Sequence, residues 1–403
     1  MKIIEGEINT PKGFKAFGIH CGIKKEKKDM AVLISDKLCT AAGCFTTNLV
    51  KAAPVKWDIE KIENEIKAII INSGNANACT GIQGMNDVKT ETEILSKLCG
   101  VKPENILVCS TGVIGVPMPM DIVKEGIKNI YSMADYSIQA GKNAAEAIMT
   151  TDTVPKRICV QFESEGKKVN VCAMAKGTGM INPNMATMLC FVATDAEIDK
   201  KLLKETLNEC VKNTFNMISV DGDTSTNDTL IVLANGESGV KIKDKNNDYY
   251  EFKNALCFVL EKLAKMCVKD GEGATKLMEV NVINAKTDND ARLIAKSVVS
   301  SNLFKAALFG QDANWGRVLC AMGYSKADFD PDNVTIKFKS SKGEILLMDK
   351  SNPIIFDEQK AALILKETDI FIDIILEEGT AKATAWGCDL TYDYVKINGD
   401  YRS

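Results

Sequence analysis

Residues 169–175 and 188–194 are two apolar runs of strand length, and the chain between them reads Lys176-Gly177-Thr178-Gly179-Met180-Ile181-Asn182-Pro183-Asn184-Met185-Ala186-Thr187. No other feature restricts the fold as tightly. The two runs read as strands, and the connection between them is neither helix nor strand. Its glycines and its Asn-Pro pair impose backbone conformations that regular structure does not continue through. The loop ends in a threonine preceded by a small residue, a geometry in which a hydroxyl can approach the carbonyl just before it.

The chain of 403 residues is long enough for two or three domains and a large core. Apolar residues make up 45% and charged residues 26%, the balance of a globular protein and not of a disordered one. A net charge of −4 gives no electrostatic case for nucleic acid or an anionic membrane. The acidic start, Met1-Lys2-Ile3-Ile4-Glu5-Gly6-Glu7, lacks the apolar core of a signal peptide. No apolar run approaches the roughly 18–20 residues that span a bilayer, so the expected location is cytoplasmic. The 14 cysteines fall singly, with no Cys-x-x-Cys, which excludes zinc-ribbon and thioredoxin readings and points to a reducing compartment. Many sit in apolar runs, as Cys172 and Cys190 do, where cysteine acts as a small core residue.

His20 is the lone histidine, so metal sites built on two or three histidines are excluded and a Ser-His-Asp or Cys-His pairing has one candidate. Its Gly-flanked apolar surroundings read as packed or partly exposed, not catalytic. Any nucleophile must find its base elsewhere.

Strands and helices alternate along the chain. Buried strands are expected at 68–72 and 105–109, and helices at 120–131 and at 134–149, the second capped by Asp135. A hairpin joins 157–163 to 168–175 around Ser164-Glu165-Gly166. Amphipathic helices follow at 198–215 and 249–268. The last third reads as a strand at 277–284, a helix at 290–308, and two β pairs, 334–339 with 345–348 and 370–376 with 381–386. The fold class is α/β, with layered mixed β-sheets and flanking helices. A catalytic α/β domain is placed at 1–275 and a smaller C-terminal α+β domain at 276–403.

Four polar, Gly-containing loops follow strand-like segments, where α/β proteins collect ligands. They are Asn72-Ser73-Gly74-Asn75-Ala76-Asn77, Ser110-Thr111-Gly112-Val113-Ile114-Gly115, the 176–187 loop, and Asp270-Gly271-Glu272-Gly273-Ala274-Thr275-Lys276. The Ser-Thr-Gly loop can offer N–H groups and a hydroxyl as an oxyanion hole; its plain reading is a capped strand-to-helix turn. The run Asp221-Gly222-Asp223-Thr224-Ser225-Thr226-Asn227-Asp228 looks at first like a cation loop, but it lacks the bidentate Glu of an EF-hand and is not flanked by two helices. No metal is expected. The Asp-Gly-Glu-Gly loop lacks the Gly-Lys-Ser/Thr ending of a phosphate loop, which excludes the usual nucleotide cradle.

Taken in order, the strings 176–187, 72–77, 110–115, Met149-Thr150-Thr151-Asp152-Thr153, 221–228, Gln311-Asp312-Ala313-Asn314-Trp315-Gly316-Arg317 and Ile397-Asn398-Gly399-Asp400-Tyr401-Arg402-Ser403 resemble the ornithine acetyltransferase family, the glutamate N-acetyltransferases of the cyclic arginine pathway. The likeness spans the whole chain. It implies that Thr187 cuts the chain after Ala186, giving fragments of 186 and 217 residues (403 − 186). It also implies that Thr187 is then the nucleophile, with its own freed α-amine as base. Acetyl passes from N-acetylornithine to Thr187 and on to glutamate in a ping-pong reaction. By matching positions, Thr111 and Gly112 form the oxyanion hole, and Thr150, Lys176, Thr187, Glu272, Asn398 and Ser403 contact substrate. Thr151 competes with Thr150, because the Thr-Thr pair leaves the register open. The C-terminal Ser403 stands where the family commonly has Thr. No cofactor is implied beyond acetyl-CoA as a co-substrate, and no residue set decides that point. The likeness further implies a heterotetramer with two copies of each fragment.

In chemical terms Lys176 suits a carboxylate and Glu272 an ammonium; the plain reading of both is a solvated surface charge. Two other functions fit the residues. One is an amide hydrolase or aminopeptidase with the same N-terminal threonine, in which water resolves the acyl-enzyme. The other is a non-catalytic amino-acid or anion-binding protein that uses its Gly loops.

Overall fold

The computed structural model describes residues 1–182 and 188–400. Of the residues singled out above, Ala186, Thr187 and Ser403 lie outside the described residues. The rest form an α/β protein built on two large sheets with helices packed between and around them.

The first sheet runs Lys2–Ile4, Lys156–Ser164, Lys167–Lys176, Leu189–Thr194, Thr229–Ala234, Met30–Phe45, Ile66–Asn75, Ile106–Val113, with Phe14–Ile19 paired beside Met30–Phe45. Two of its pairings are parallel, Leu189–Thr194 with Thr229–Ala234 and Ile66–Asn75 with Ile106–Val113. Alternation along the strands separates two cores. Val171, Ala173, Cys190, Val192 and Val232 face the helices Lys200–Asn213 and Asn247–Lys269, while Met174, Phe191, Ala193 and Ile231 face the opposite side with Ala144 and Ile148. The hairpin turn is as expected: Glu165 and Gly166 both take positive φ (50° and 74°), which suits the twist of a two-residue connection.

The second sheet runs Ile218–Ser219, Ala381–Cys388, Leu277–Ala285, Asp369–Leu376, Val334–Ser340, Gly343–Asp349, Asn352–Pro353. Here the expected pairing of 370–376 with 381–386 fails. Leu277–Ala285 lies between them, parallel to the first and antiparallel to the second. The connection steps over the end of that central strand, where Glu378 and Gly379 donate their N–H groups to Asn284 O at 3.1 and 3.0 Å. Apart from Ile218–Ser219, this sheet is drawn from residue 277 onward, and one core cluster runs continuously from it to the first sheet.

Several helix bounds also differ, each for a local reason. The helix expected at 134–149 is Ile138–Ala147, capped by Ser137, which accepts from Ala140 N–H at 3.1 Å. Asp135 instead trades backbone hydrogen bonds with Ala16. The stretch expected as one helix at 290–308 is two, Asp288–Val299 and Asn302–Phe309, because Ser301 caps the second through Phe304 N–H. The helix expected at 198–215 starts at Lys200, with Asp199 as its cap. One cysteine pair departs from the single-cysteine reading: Cys210 and Cys257 are disulfide-bonded between two packed helices, and their separation of 47 residues leaves no spacing signal.

Candidate functional site

The parallel strands Ile66–Asn75 and Ile106–Val113 end side by side, with Ser73 opposite Thr111 and Gly74 opposite Gly112. Gly112 takes φ +137°, and a Cβ there would lie 2.3 Å from the Gly74 carbonyl carbon and 2.5 Å from Asn75 N. Only glycine permits this approach. Asn227 ties the strand ends together, its Nδ2 donating to Ala76 O (2.6 Å) and Ser110 O (2.8 Å).

A cleft of about 140 Å³ opens at these ends, and Thr111, Gly112, Thr150, Lys176, Glu272 and Asn398 all line it. The structure thus brings six of the expected site residues to one place, from separate stretches of chain. Met180 and Met188, from either side of the undescribed segment 183–187, line it as well. His20 does not. It is exposed, with Nδ1 2.8 Å from Lys27 O.

Lys176 ends the strand Lys167–Lys176 and is only 8% exposed, so it is not a solvated surface charge. Its Nζ donates to Thr111 Oγ1 at 3.2 Å. That hydroxyl, with its oxygen engaged as acceptor, keeps its own proton to donate.

The two members of the Thr150–Thr151 pair differ in their surroundings. Thr151 Oγ1 is 2.6 Å from the buried Thr178 Oγ1, so one bond of its hydroxyl is made within the protein, and Thr151 lines the cleft beside Thr150. Thr150 N–H donates to Asp152 Oδ2 (3.0 Å), and Gly177 N–H to Asp152 Oδ1 (2.8 Å). One carboxylate therefore joins the Thr150 loop to the residue following Lys176. Buried Lys156 donates to Asp152 and to Asp270, both at 2.6 Å. Burial works to raise the Asp152 pKa, but the charges of Lys176 and Lys156 and the hydrogen bonds it accepts prevail and bring it down to about 2.

Glu272 N–H donates to Thr178 O (2.9 Å), and its carboxylate accepts from Asn398 Nδ2 (2.8 Å). Asn398 lies on the C-terminal helix Tyr392–Asp400, which also holds Tyr394 beside Asp221 and Glu272. Burial first, then those two carboxylates, push the Tyr394 phenol above its ordinary range. Among the described residues, no group of three His, Cys, Asp or Glu side chains is arranged to hold a metal ion. No helix of the described residues is long and apolar enough to cross a membrane.

Sequence reasoning gave no role to Asp152, Lys156, Asn227 or Asp221, although three of them stand inside strings quoted for the family likeness. An acidic or amide side chain announces no partner. The signal was the run of rare residues around each.

The ArgJ family model matches residues 15–403. The chain belongs to the ArgJ family. Among its ArgJ relatives is the arginine biosynthesis bifunctional protein ArgJ of Caldanaerobacter subterraneus subsp. tengcongensis, 53% identical over 405 residues and covering 100% of both chains. The arginine biosynthesis bifunctional protein ArgJ 1 of Clostridium acetobutylicum is 54% identical over 393 residues, which is 97% of this chain and 96% of the relative. The crystal structure of the ArgJ protein from Bacillus halodurans is 45% identical with a TM-score of 0.51; the match covers 53% of this chain and 100% of that one.

Proposed function

We propose that this chain cuts itself between Ala186 and Thr187 and then transfers acetyl from N-acetylornithine to glutamate in arginine biosynthesis, in the cytoplasm. The observation that carries the reading is the convergence of Thr111, Gly112, Thr150, Lys176, Glu272 and Asn398 on a cleft that Met188, bonded directly to Thr187, also lines.

In the cutting step the Thr187 hydroxyl attacks the Ala186 carbonyl. The C–N bond breaks, the hydroxyl proton ends on the new amine, and water opens the ester to leave a carboxylate on Ala186. A chain-terminal α-amine ordinarily titrates at about 7.7–8.0, so part of the freed amine is neutral near pH 7 and can take the hydroxyl proton in each turnover. Nucleophile and base then share one residue, which explains how the chemistry proceeds without histidine. The solved Bacillus halodurans chain, matched in full, spans 53% of this chain, close to the share of a 217-residue second fragment (403 − 186).

In turnover the acetyl carbonyl oxygen becomes an oxyanion facing the Gly112 backbone and the Thr111 hydroxyl. Lys176, already donating to that hydroxyl, strengthens it as a donor. The Thr150 hydroxyl and the Lys176 ammonium hold the substrate carboxylate, and Glu272, fixed by Asn398, holds the ornithine ammonium. Ornithine leaves, and the glutamate amine attacks acetyl-Thr187. The fragments assemble as a heterotetramer, with Ser403 completing the cleft from the C-terminus.

Incubation with N-acetylornithine and glutamate tests the reading. N-acetylglutamate forms if it is right; acetate as sole product makes the chain a hydrolase. The relatives are named bifunctional, and the same assay with acetyl-CoA as the only donor decides whether a second acetyl source feeds this site.

A further inference from the structure

Residues 225–228 of the run 221–228 line the cleft, but its first part, 221–224, has no role in the function proposed above, and the structure gives it work unlike that of a cation loop. The Asp221 carboxylate accepts from the backbone N–H of Met180 (Oδ2, 2.6 Å) and of Ile181 (Oδ1, 2.8 Å). Val220 N–H donates to Ile181 O at 2.6 Å, Asn182 Nδ2 to Gly222 O at 3.0 Å, and Thr224 Oγ1 to Asn182 O at 2.9 Å. Five hydrogen bonds thus join residues 180–182 to residues 220–224. This grip is itself anchored, since the buried Lys305 donates from Nζ to Val220 O at 2.6 Å.

The gripped stretch is not one the chain adopts freely. Met180 has φ +54°, uncommon for a residue with a side chain, and such a conformation persists only where its surroundings over-determine it. Ile181 lies five residues ahead of Ala186, and Met188 O, just beyond Thr187, accepts from Thr229 N–H at 2.9 Å.

We infer that Asp221 is a positioning residue for self-cleavage, its carboxylate setting the direction in which the chain enters the segment that holds the Ala186–Thr187 bond. The inference rests on the self-cleaving reading above. Attack of a hydroxyl on the neighbouring carbonyl has a narrow angular tolerance, and misplacement by about 1 Å costs on the order of 10²-fold in rate. Asparagine at 221 keeps the shape but loses the charge. One of its two terminal atoms is a donor and opposes an N–H that the carboxylate accepts.

The test follows conversion of the full 403-residue chain to two bands on denaturing gels after pulse labelling, for wild type, Asp221→Asn, Thr224→Val and Asp223→Asn. Asp221→Asn should slow conversion on the order of 10²-fold. Thr224→Val, which removes one neutral bond, should slow it about 2- to 10-fold. Asp223→Asn, an exposed acid on the same loop, should convert at the wild-type rate. A purely structural role would lower the melting temperature as well. Positioning leaves the melting temperature of Asp221→Asn near wild type and confines the loss to the rate of conversion. Wild-type conversion by Asp221→Asn overturns the inference. If that variant does not melt cooperatively, Thr224→Val decides, and its conversion at the wild-type rate overturns the inference equally. A wild-type chain that never converts sinks the self-cleaving reading instead, so the two failures are distinct.

Discussion

Gly179→Ala displaces the Glu272 carboxylate without changing the acid itself and, because Gly179 also lines the cleft, is read against Glu272→Ala. A Cβ on Gly179 would lie 2.4 Å from Glu272 Oε2, 2.5 Å from its Cδ and 2.6 Å from Oε1, and no backbone atom is among those three nearest neighbours. Gly179 is not among the glycines with positive φ, so alanine meets no backbone penalty there. The far end of a side chain gives way before the fold does, so the carboxylate must swing out of the cleft and off Asn398, now 2.8 Å away. If Glu272 holds the ornithine ammonium, the variant loses one hydrogen bond between charged groups, about 1.5–3 kcal/mol. Partial exposure of Glu272 brings the expectation to the lower half of that range. The KM for N-acetylornithine should rise roughly 10- to 30-fold, since about 1.4 kcal/mol is a factor of ten. Self-cleavage and the melting temperature should stay near wild type. Initial-rate kinetics over a range of N-acetylornithine measure this, with Glu272→Ala and the double variant alongside. Because both changes act through one carboxylate, Gly179→Ala should add almost nothing to Glu272→Ala. A folded, cut Gly179→Ala enzyme with wild-type KM would refute the role of Glu272 as substrate contact.

Three more outcomes test other parts of the reading. Thr187→Ala should leave one intact chain without transferase activity, which a gel and an N-acetylglutamate assay check together; a cut, active variant removes the mechanism. Thr111→Ala should slow both cutting and turnover, each by about 10²–10³-fold if the two share one oxyanion site. Glu91→Gln should stabilise the fold near pH 7. Glu91 is buried, and its Oε1 has no hydrogen-bond partner among the described residues; burial first, then Asp87 and Asp58, raise its pKa to about 8. The folded chain therefore holds a proton that the unfolded chain releases. Stability is full below the ordinary glutamate range and is lost as pH rises toward 8, on the order of 3 kcal/mol by pH 7. Melting curves from pH 5 to 8 should show the wild type falling away from the variant, and parallel curves would refute this account of Glu91.

Periodicity reveals what each stretch of chain becomes more readily than what it meets. The 165–166 turn and the strands around it were legible because the alternation and the Glu-Gly pair agree on one local answer. The pairing of 370–376 with 381–386 was misjudged because adjacent strands usually pair, and nothing in either run reports that Leu277–Ala285 takes the place between them. The helix break at Ser300–Ser301 was hidden by apolar spacing that continues across it. In the first 50 residues, Phe14–Ile19 and the long Met30–Phe45 strand went unread. The candidate site was named by resemblance more than by pattern. By pattern alone Lys176 and Glu272 read equally well as solvated surface charges; the fold buries one and joins the other to Asn398. Asp152 and Asp221 act through backbone N–H groups, and such partners have no sequence signature.

The order of strands in the first sheet carries a consequence for what a cut after Ala186 would do to the molecule. Leu189–Thr194 and Thr229–Ala234, both from the later fragment, sit interleaved between Lys167–Lys176 and Met30–Phe45 from the earlier one. Neither piece can depart without breaking both ladders that join the two, Lys167–Lys176 with Leu189–Thr194 and Thr229–Ala234 with Met30–Phe45. The Cys210–Cys257 bond lies wholly within the later piece and does not staple the two together. Severing the peptide would therefore yield two polypeptides under denaturant but a single inseparable body in native buffer.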